Sequence, residues 1–134
     1  MISISKQIYE SMIDYAKKGF PNEACGILAG KPNGPVSEFF PMTNTDNASI
    51  SYFMDPKEQL AVFKKMRNLG LEMSGIFHSH VASEAAPSQK DIRLAFYPEV
   101  SYLIVSLSDM NRPVLCSFKI QNEKVAEEEI KIVD

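Results

Sequence analysis

Helical and strand-like segments alternate along this chain, each bounded by residues that start or stop regular structure. That alternation limits the folds open to it. Ser5 is placed to cap a helix whose apolar stripe runs through Ile8, Met12, Tyr15 and Ala16 and stops at Gly19. A second helix starts at Asp55-Pro56, with aspartate as N-cap and proline at the first helical position. It carries Leu60, Phe63, Met66 and Leu69 on or near one face and stops at Gly70. Around these helices, residues 1–5, Ala24 to Ala29, Val36 to Phe40, Ile50 to Met54 and Leu71 to Phe77 read as strands. Ser88 opens a third helix, expected to run to Tyr97, where Pro98 ends it. Ser101–Leu107 and Val114–Ile120 read as a hairpin around Asp109-Met110-Asn111-Arg112, and Val125 to Val133 as a last strand. Strands interspersed with helices predict a mixed α/β fold: a single central β-sheet flanked by two to three helices, in one domain spanning residues 1–134.

Composition narrows the functions. With 45% apolar residues, a chain of 134 can bury a core without disulfide or metal staples. The net charge is −3 and the signs are mixed, so no basic face is available for nucleic acid. No apolar stretch approaches the roughly 20 residues that span a bilayer. The N-terminal segment Met1-Ile2-Ser3-Ile4-Ser5-Lys6 lacks the pattern of a signal peptide, so a cytoplasmic location is expected. Cys25 and Cys116 form no C-x-x-C pair and read as reduced, buried side chains. The acidic run Glu127, Glu128, Glu129 reads as a solvated strand edge or tail.

The two histidines of the chain, His78 and His80, sit two apart at the end of an apolar run. On a strand, residues i and i+2 point to the same side, so both imidazoles can converge on one ion. Asp91, in the first turn of the helix opened by Ser88, can add a carboxylate. Zinc takes such nitrogen and oxygen ligands, and catalytic sites keep a fourth position for water. Each piece has a plainer reading. A His-x-His pair alone is a weak signal, and Ser88 with Asp91 also makes a capping box that needs no metal. Glu23 opens the apolar run Ala24-Cys25-Gly26-Ile27-Leu28, where a carboxylate needs a partner or a role. It reads either as an exposed loop glutamate or as a general base beside a metal-bound water.

Taken together, Glu23-Ala-Cys-Gly, His78-Ser-His80, seven intervening residues and Ser88-x-x-Asp91 resemble the full motif of the JAMM (MPN+) metalloprotease family, in its short prokaryotic stand-alone form. The Asp55-Pro56 helix start and the Gly75-Ile-Phe lead extend the likeness over most of the chain. One departure stands out: Val81 occupies the position after the second histidine where family members usually have proline. It bears on the shape of the loop 81–87 and removes no ligand.

The resemblance implies a JAMM/MPN, cytidine-deaminase-like architecture with one Zn2+ per chain, held by His78, His80 and Asp91. It implies Glu23 as the base that deprotonates the zinc-bound water and passes the proton to the leaving amine. It implies Ser88 as a hydrogen-bond donor to the oxyanion, and Ser79 as a structural residue facing away from the metal. The implied substrate is the amide or isopeptide bond after the C-terminal diglycine of a ubiquitin-like or sulfur-carrier protein. A glycine tail can lie extended in a narrow groove and pair with a strand edge, and the stretch Thr43–Met54 is a candidate border for it. The alternative is a non-catalytic MPN-type scaffold. A nucleobase deaminase would need His-x-Glu with Pro-Cys-x-x-Cys, and this chain has no such cysteine pair.

Overall fold

A computed structural model describes residues 1–134. In chain order the elements are β1 (Ile2–Ser5), α1 (Lys6–Gly19), β2 (Cys25–Gly30), β3 (Val36–Met42), α2 (Pro56–Leu69), β4 (Glu72–His80), α3 (Gln89–Arg93), β5 (Ser101–Ser106), β6 (Val114–Gln121), β7 (Lys124–Glu128) and β8 (Ile130–Val133). The mixed α/β class with one sheet and three helices is as the alternation predicts. Both long helices start where their caps stand. Ser5 Oγ accepts the Ile8 N–H at 3.3 Å, and Asp55 accepts the Lys57 N–H at 2.9 Å. Gly70 ends α2 at φ +69°, a left-handed conformation that glycine adopts without strain, and the following Leu71 N–H reaches back to the Met66 carbonyl. No helix is long and apolar enough to cross a membrane.

The eight strands form one sheet in the order β7-β6-β5-β4-β2-β3-β1-β8. β4 runs parallel to β5 and antiparallel to β2, whose other neighbour is antiparallel β3. β7 and β8 lie at opposite ends of this order, yet only Glu129 separates them in sequence. The sheet therefore curls until its two edges are joined by one continuous chain. The Ile2 N–H bonds the Glu129 carbonyl at 3.0 Å across that junction.

Side chains alternate across the strands. Ile4, Leu28, Phe77, Leu103 and Val105 converge with Met12 and Ala16 of α1 into one buried cluster on the inner face. The outer face carries two clusters. Ile27, Phe40, Met42 and Met54 pack with Met66 of α2, while Tyr102, Ile104, Phe118 and Ile120 pack against Ile92 and Ala95 from the α3 region. Helices on both faces explain why β2 and β5 are buried at every position and read as unbroken apolar runs. Each fully buried Leu, Ile or Phe adds about 1.5–3 kcal/mol.

Three expectations need correction. Ile50–Met54 is not a strand: its only ladder contact is an isolated bridge between Asn44 and Met54, because the Asn44 side-chain amide binds this segment's backbone instead. α3 ends at Arg93 rather than near Tyr97; the chain turns at Leu94, and the Tyr97 N–H bonds the Tyr102 hydroxyl at 2.9 Å. The last strand is two strands, since its halves pair with opposite edges of the sheet.

Candidate metal centre and active site

Strand β4 runs on through both histidines, and its alternation sorts the motif. Phe77 and Ser79 face the inner side, while His78 and His80 face outward together. Ser79 Oγ accepts the Ala24 N–H at 2.8 Å, tying β4 to the segment that carries Glu23. Ser79 thus stands where a structural hydrogen-bonder is expected. All three of His78, Ser79 and His80 are buried.

Helix α3 brings the third group. Ser88 and Asp91 form a reciprocal capping box: Ser88 Oγ accepts the Asp91 N–H at 3.1 Å, and Asp91 Oδ2 accepts the Ser88 N–H at 2.9 Å. The same Oδ2 lies 3.2 Å from His78 Nε2 and 3.1 Å from His80 Nε2, and the two Nε2 atoms are 3.1 Å apart. Three potential ligand atoms thus form a nearly equilateral triangle. Zinc bonds of about 2.0–2.1 Å at tetrahedral angles set ligand atoms roughly 3.3 Å apart, so the triangle has the edge a metal needs. The donor set, two imidazoles and a carboxylate, leaves a fourth position for water. The residues fit the ion.

The tautomer at His80 fits as well. Its Nδ1 lies 2.9 Å from the Glu84 carbonyl, which can only accept, so Nδ1 holds a proton and Nε2 presents a lone pair when the ring is neutral. The loop after Val81 reaches this position because Ser106 Oγ bonds the Ser83 carbonyl at 2.6 Å. His78 differs: its Nδ1 is buried without any partner, and its ring stacks on Tyr52 with centroids 4.6 Å apart and planes at 24°.

Glu23 is only 6% exposed and is held by its backbone, its N–H to the Ala48 carbonyl at 2.8 Å and its carbonyl to Asn44 Nδ2 at 2.9 Å. The exposed-loop reading of this residue is therefore wrong. Burial raises its carboxyl to about 7, with Asp91 adding to the rise while His80 and Lys90 oppose it. Burial pushes the His78 imidazole down. Burial also opposes the charge on His80, but its bonds to Asp91 and the Glu84 carbonyl prevail and its pKa is raised. Asp91 is held far below the usual carboxylate range: burial works against this, and the bonds from His78 and His80 outweigh it. A deprotonated candidate ligand, Asp91, thus stands near a second carboxyl poised to exchange a proton close to neutrality.

A model of the prokaryotic homologs of the JAB domain matches residues 5–120. The chain belongs to this family. Over 135 aligned residues it is 36% identical to the CysO-cysteine peptidase of Mycobacterium tuberculosis, covering all of this chain and 92% of that protein. It is 30% identical over 111 residues to the desampylase of Haloferax volcanii, covering 78% of this chain and 80% of the relative. The solution structure of a Desulfitobacterium hafniense protein has 44% identity and a TM-score of 0.92, covering all of this chain and 94% of that one. With relatives named as a peptidase and a desampylase, this JAB-family chain is a JAMM-type peptidase.

Sequence reasoning missed two residues of the site, Tyr52 and Asn44. Tyr52 lies in the segment Ile50 to Met54, whose pattern reads as a strand, and Asn44 in the preceding loop, to which no element is assigned. The only signal for either was the polar stretch Thr43 to Ser49, rich in residues whose side chains bind backbone. The largest cavity, about 430 Å³ and lined by Ser74, Ser101 and Lys119, opens away from the histidines, at the N-terminal ends of strands β1 and β5. A smaller one of about 180 Å³ lies beside Asp91, with an apolar wall of Tyr52, Phe53, Ile76, Leu94 and Phe96. Residues Ser51 to Met54 line it, so the end of the stretch Thr43–Met54 borders a groove next to the candidate ligands.

Proposed function

We propose that this chain is a zinc-dependent hydrolase that cuts the amide or isopeptide bond after the C-terminal diglycine of a ubiquitin-like or sulfur-carrier protein. The observation that carries the reading is the triangle of His78 Nε2, His80 Nε2 and Asp91 Oδ2, with edges of 3.1–3.2 Å, near a buried Glu23 whose carboxyl is raised to about 7. The names of the relatives, a CysO-cysteine peptidase and a desampylase, support a protein-conjugate substrate. A single zinc ion, held by those three residues, supplies a Lewis acid for the carbonyl and lowers the pKa of a water to roughly 7.

The chain's own residues do the rest. Glu84 and Ser88 orient the ligands through the His80 Nδ1–H and Asp91 Oδ2. Glu23 takes a proton from the attacking water at its carboxylate as the C–O bond forms, then returns it to the leaving nitrogen as the C–N bond breaks. Burial makes this carboxylate a stronger base than a solvated one, which favours taking the proton from the water. Ser88 Oγ uses a lone pair to cap α3, which leaves its hydroxyl proton free to donate to the carbonyl oxygen as charge develops there. A diglycine tail without side chains can pass close to this crowded centre. The apolar groove beside Asp91 is the place for the residues ahead of it.

A carrier protein ending in diglycine, extended by one amide-linked amino acid, provides the test. Zinc-loaded wild type is expected to remove the added amino acid, read as the mass loss of the carrier, and zinc-loaded Glu23→Gln is expected not to. An intact carrier after prolonged incubation with the wild type rules the reading out.

A further inference from the structure

The two histidines are held in different ways, and the difference assigns a role to a residue the mechanism has not used. A ligating imidazole normally gives its second nitrogen to an acceptor, which fixes both tautomer and ring orientation. His80 does so through the Glu84 carbonyl. His78 does not: its Nδ1 is the single buried side-chain polar atom of the protein without a partner. What lies against this ring is Tyr52, nearly parallel at 24° and 4.6 Å between centroids. We infer that Tyr52 is the positioning residue for His78, fixing by stacking the ring plane that a hydrogen bond fixes for His80.

Tyr52 can do this only if its own segment is rigid, and that segment has no place in the sheet. Asn44 supplies the rigidity. Its Nδ2 donates to the Ser51 carbonyl at 3.0 Å and its Oδ1 accepts the Phe53 N–H at 3.1 Å, gripping the backbone on both sides of Tyr52. The Thr45 N–H adds a bond to the Phe53 carbonyl at 2.8 Å. The same Asn44 Nδ2 also donates to the Glu23 carbonyl at 2.9 Å. One side chain thus ties the residue that orients a ligand to the residue that moves the proton. Tyr52 also walls the groove beside Asp91, so the stack that holds His78 is one boundary of the substrate's path.

The inference rests on the metal reading, and its test separates the two. Zinc affinity of the full chain is measured by competition with a chromophoric chelator, for wild type, Tyr52→Leu and Tyr52→Phe, with folding checked by near-ultraviolet circular dichroism before zinc is added. Tyr52→Leu is expected to raise the zinc Kd about tenfold or more, and Tyr52→Phe, which keeps the ring, to stay within about twofold. Wild-type affinity in Tyr52→Leu overturns the inference. An equal loss in Tyr52→Phe also overturns it, by assigning the effect to the hydroxyl. If Tyr52→Leu does not fold, Tyr52→Met carries the same comparison. A folded wild type that takes up no zinc overturns the metal reading, and the inference with it.

Discussion

Two sheltered carboxyls, Glu23 in the loop before β2 and Glu128 on β7, have opposite character. Glu128, on β7, accepts hydroxyl protons from the buried Ser101 and Ser117, the latter at 2.8 Å, and pairs with the Met1 ammonium at 3.2 Å. Burial works to raise its pKa, but those donors outweigh it and hold it below the ordinary range. Glu23 is buried before β2 with its backbone bonded, and burial carries its carboxyl up to about 7. A sheltered carboxylate that donors satisfy becomes a fixed charge and a structural clamp. One that is desolvated beside Asp91 becomes a group able to exchange a proton at neutral pH.

The largest effect should come from exchanging the charge for an isostere on the active side. Glu23→Gln is expected to lower kcat by about 10²–10⁴ while zinc content is unchanged, as measured by hydrolysis and metal analysis of the same sample. Retained turnover would place the base elsewhere. Ser88→Ala comes next: loss of one oxyanion donor costs about 10²–10³ in kcat, and loss of the cap costs about 1 kcal/mol of stability. Turnover unchanged beside a lowered melting temperature would leave Ser88 with the cap alone.

Glu128→Ala should do the reverse. It strands two buried hydroxyls and is expected to cost about 1–3 kcal/mol in denaturant unfolding, with kcat per folded molecule retained. A loss of kcat would remove the division of labour between the two carboxyls.

The smallest effect is the sharpest, because its sign differs between the two groups. Glu23 has a folded pKa above its unfolded value, so in the metal-free protein the folded state keeps a proton that the unfolded state releases between about pH 4.5 and 7. Stability falls as pH rises through that window, and metal-free Glu23→Gln should gain on wild type by pH 8. Glu128 has a depressed folded pKa, so its contribution is present above the ordinary carboxylate range and is lost as pH falls through the lower folded value. The gap between Glu128→Ala and wild type should therefore close in acid. Stability curves of both variants running parallel to wild type across pH would contradict the assignment.

These two carboxyls also mark what a sequence can disclose. The histidines were legible because strand alternation makes i and i+2 face one way, and Ser88 with Asp91 because a capping box has fixed spacing. Both are local rules, and the site is built from two such pieces placed side by side. Glu128 was read as a solvated edge, because nothing local to Glu127-Glu128-Glu129 shows that the chain leaves one edge of the sheet and joins the other at that point. Only Glu128 of the three turns inward, toward serines 11 and 27 residues away. Tyr52 and Asn44 escaped for a related reason: a side chain that replaces strand pairing leaves no period in the sequence. The extended reading of α3 failed because Pro98 sets only an outer limit, disfavouring helix from Tyr97 on, and says nothing about where the helix ends before it.

The measurement that bears most directly on the central claim is the metal content of purified wild type beside Asp91→Ala, by inductively coupled plasma mass spectrometry. Asp91 is the choice because its Oδ2 touches both imidazoles and also serves the helix cap. About one zinc per chain in the wild type and essentially none in Asp91→Ala is the predicted result. Equal zinc in both proteins, or none in the wild type after incubation with the ion, would contradict it and leave Asp91 as a capping residue alone.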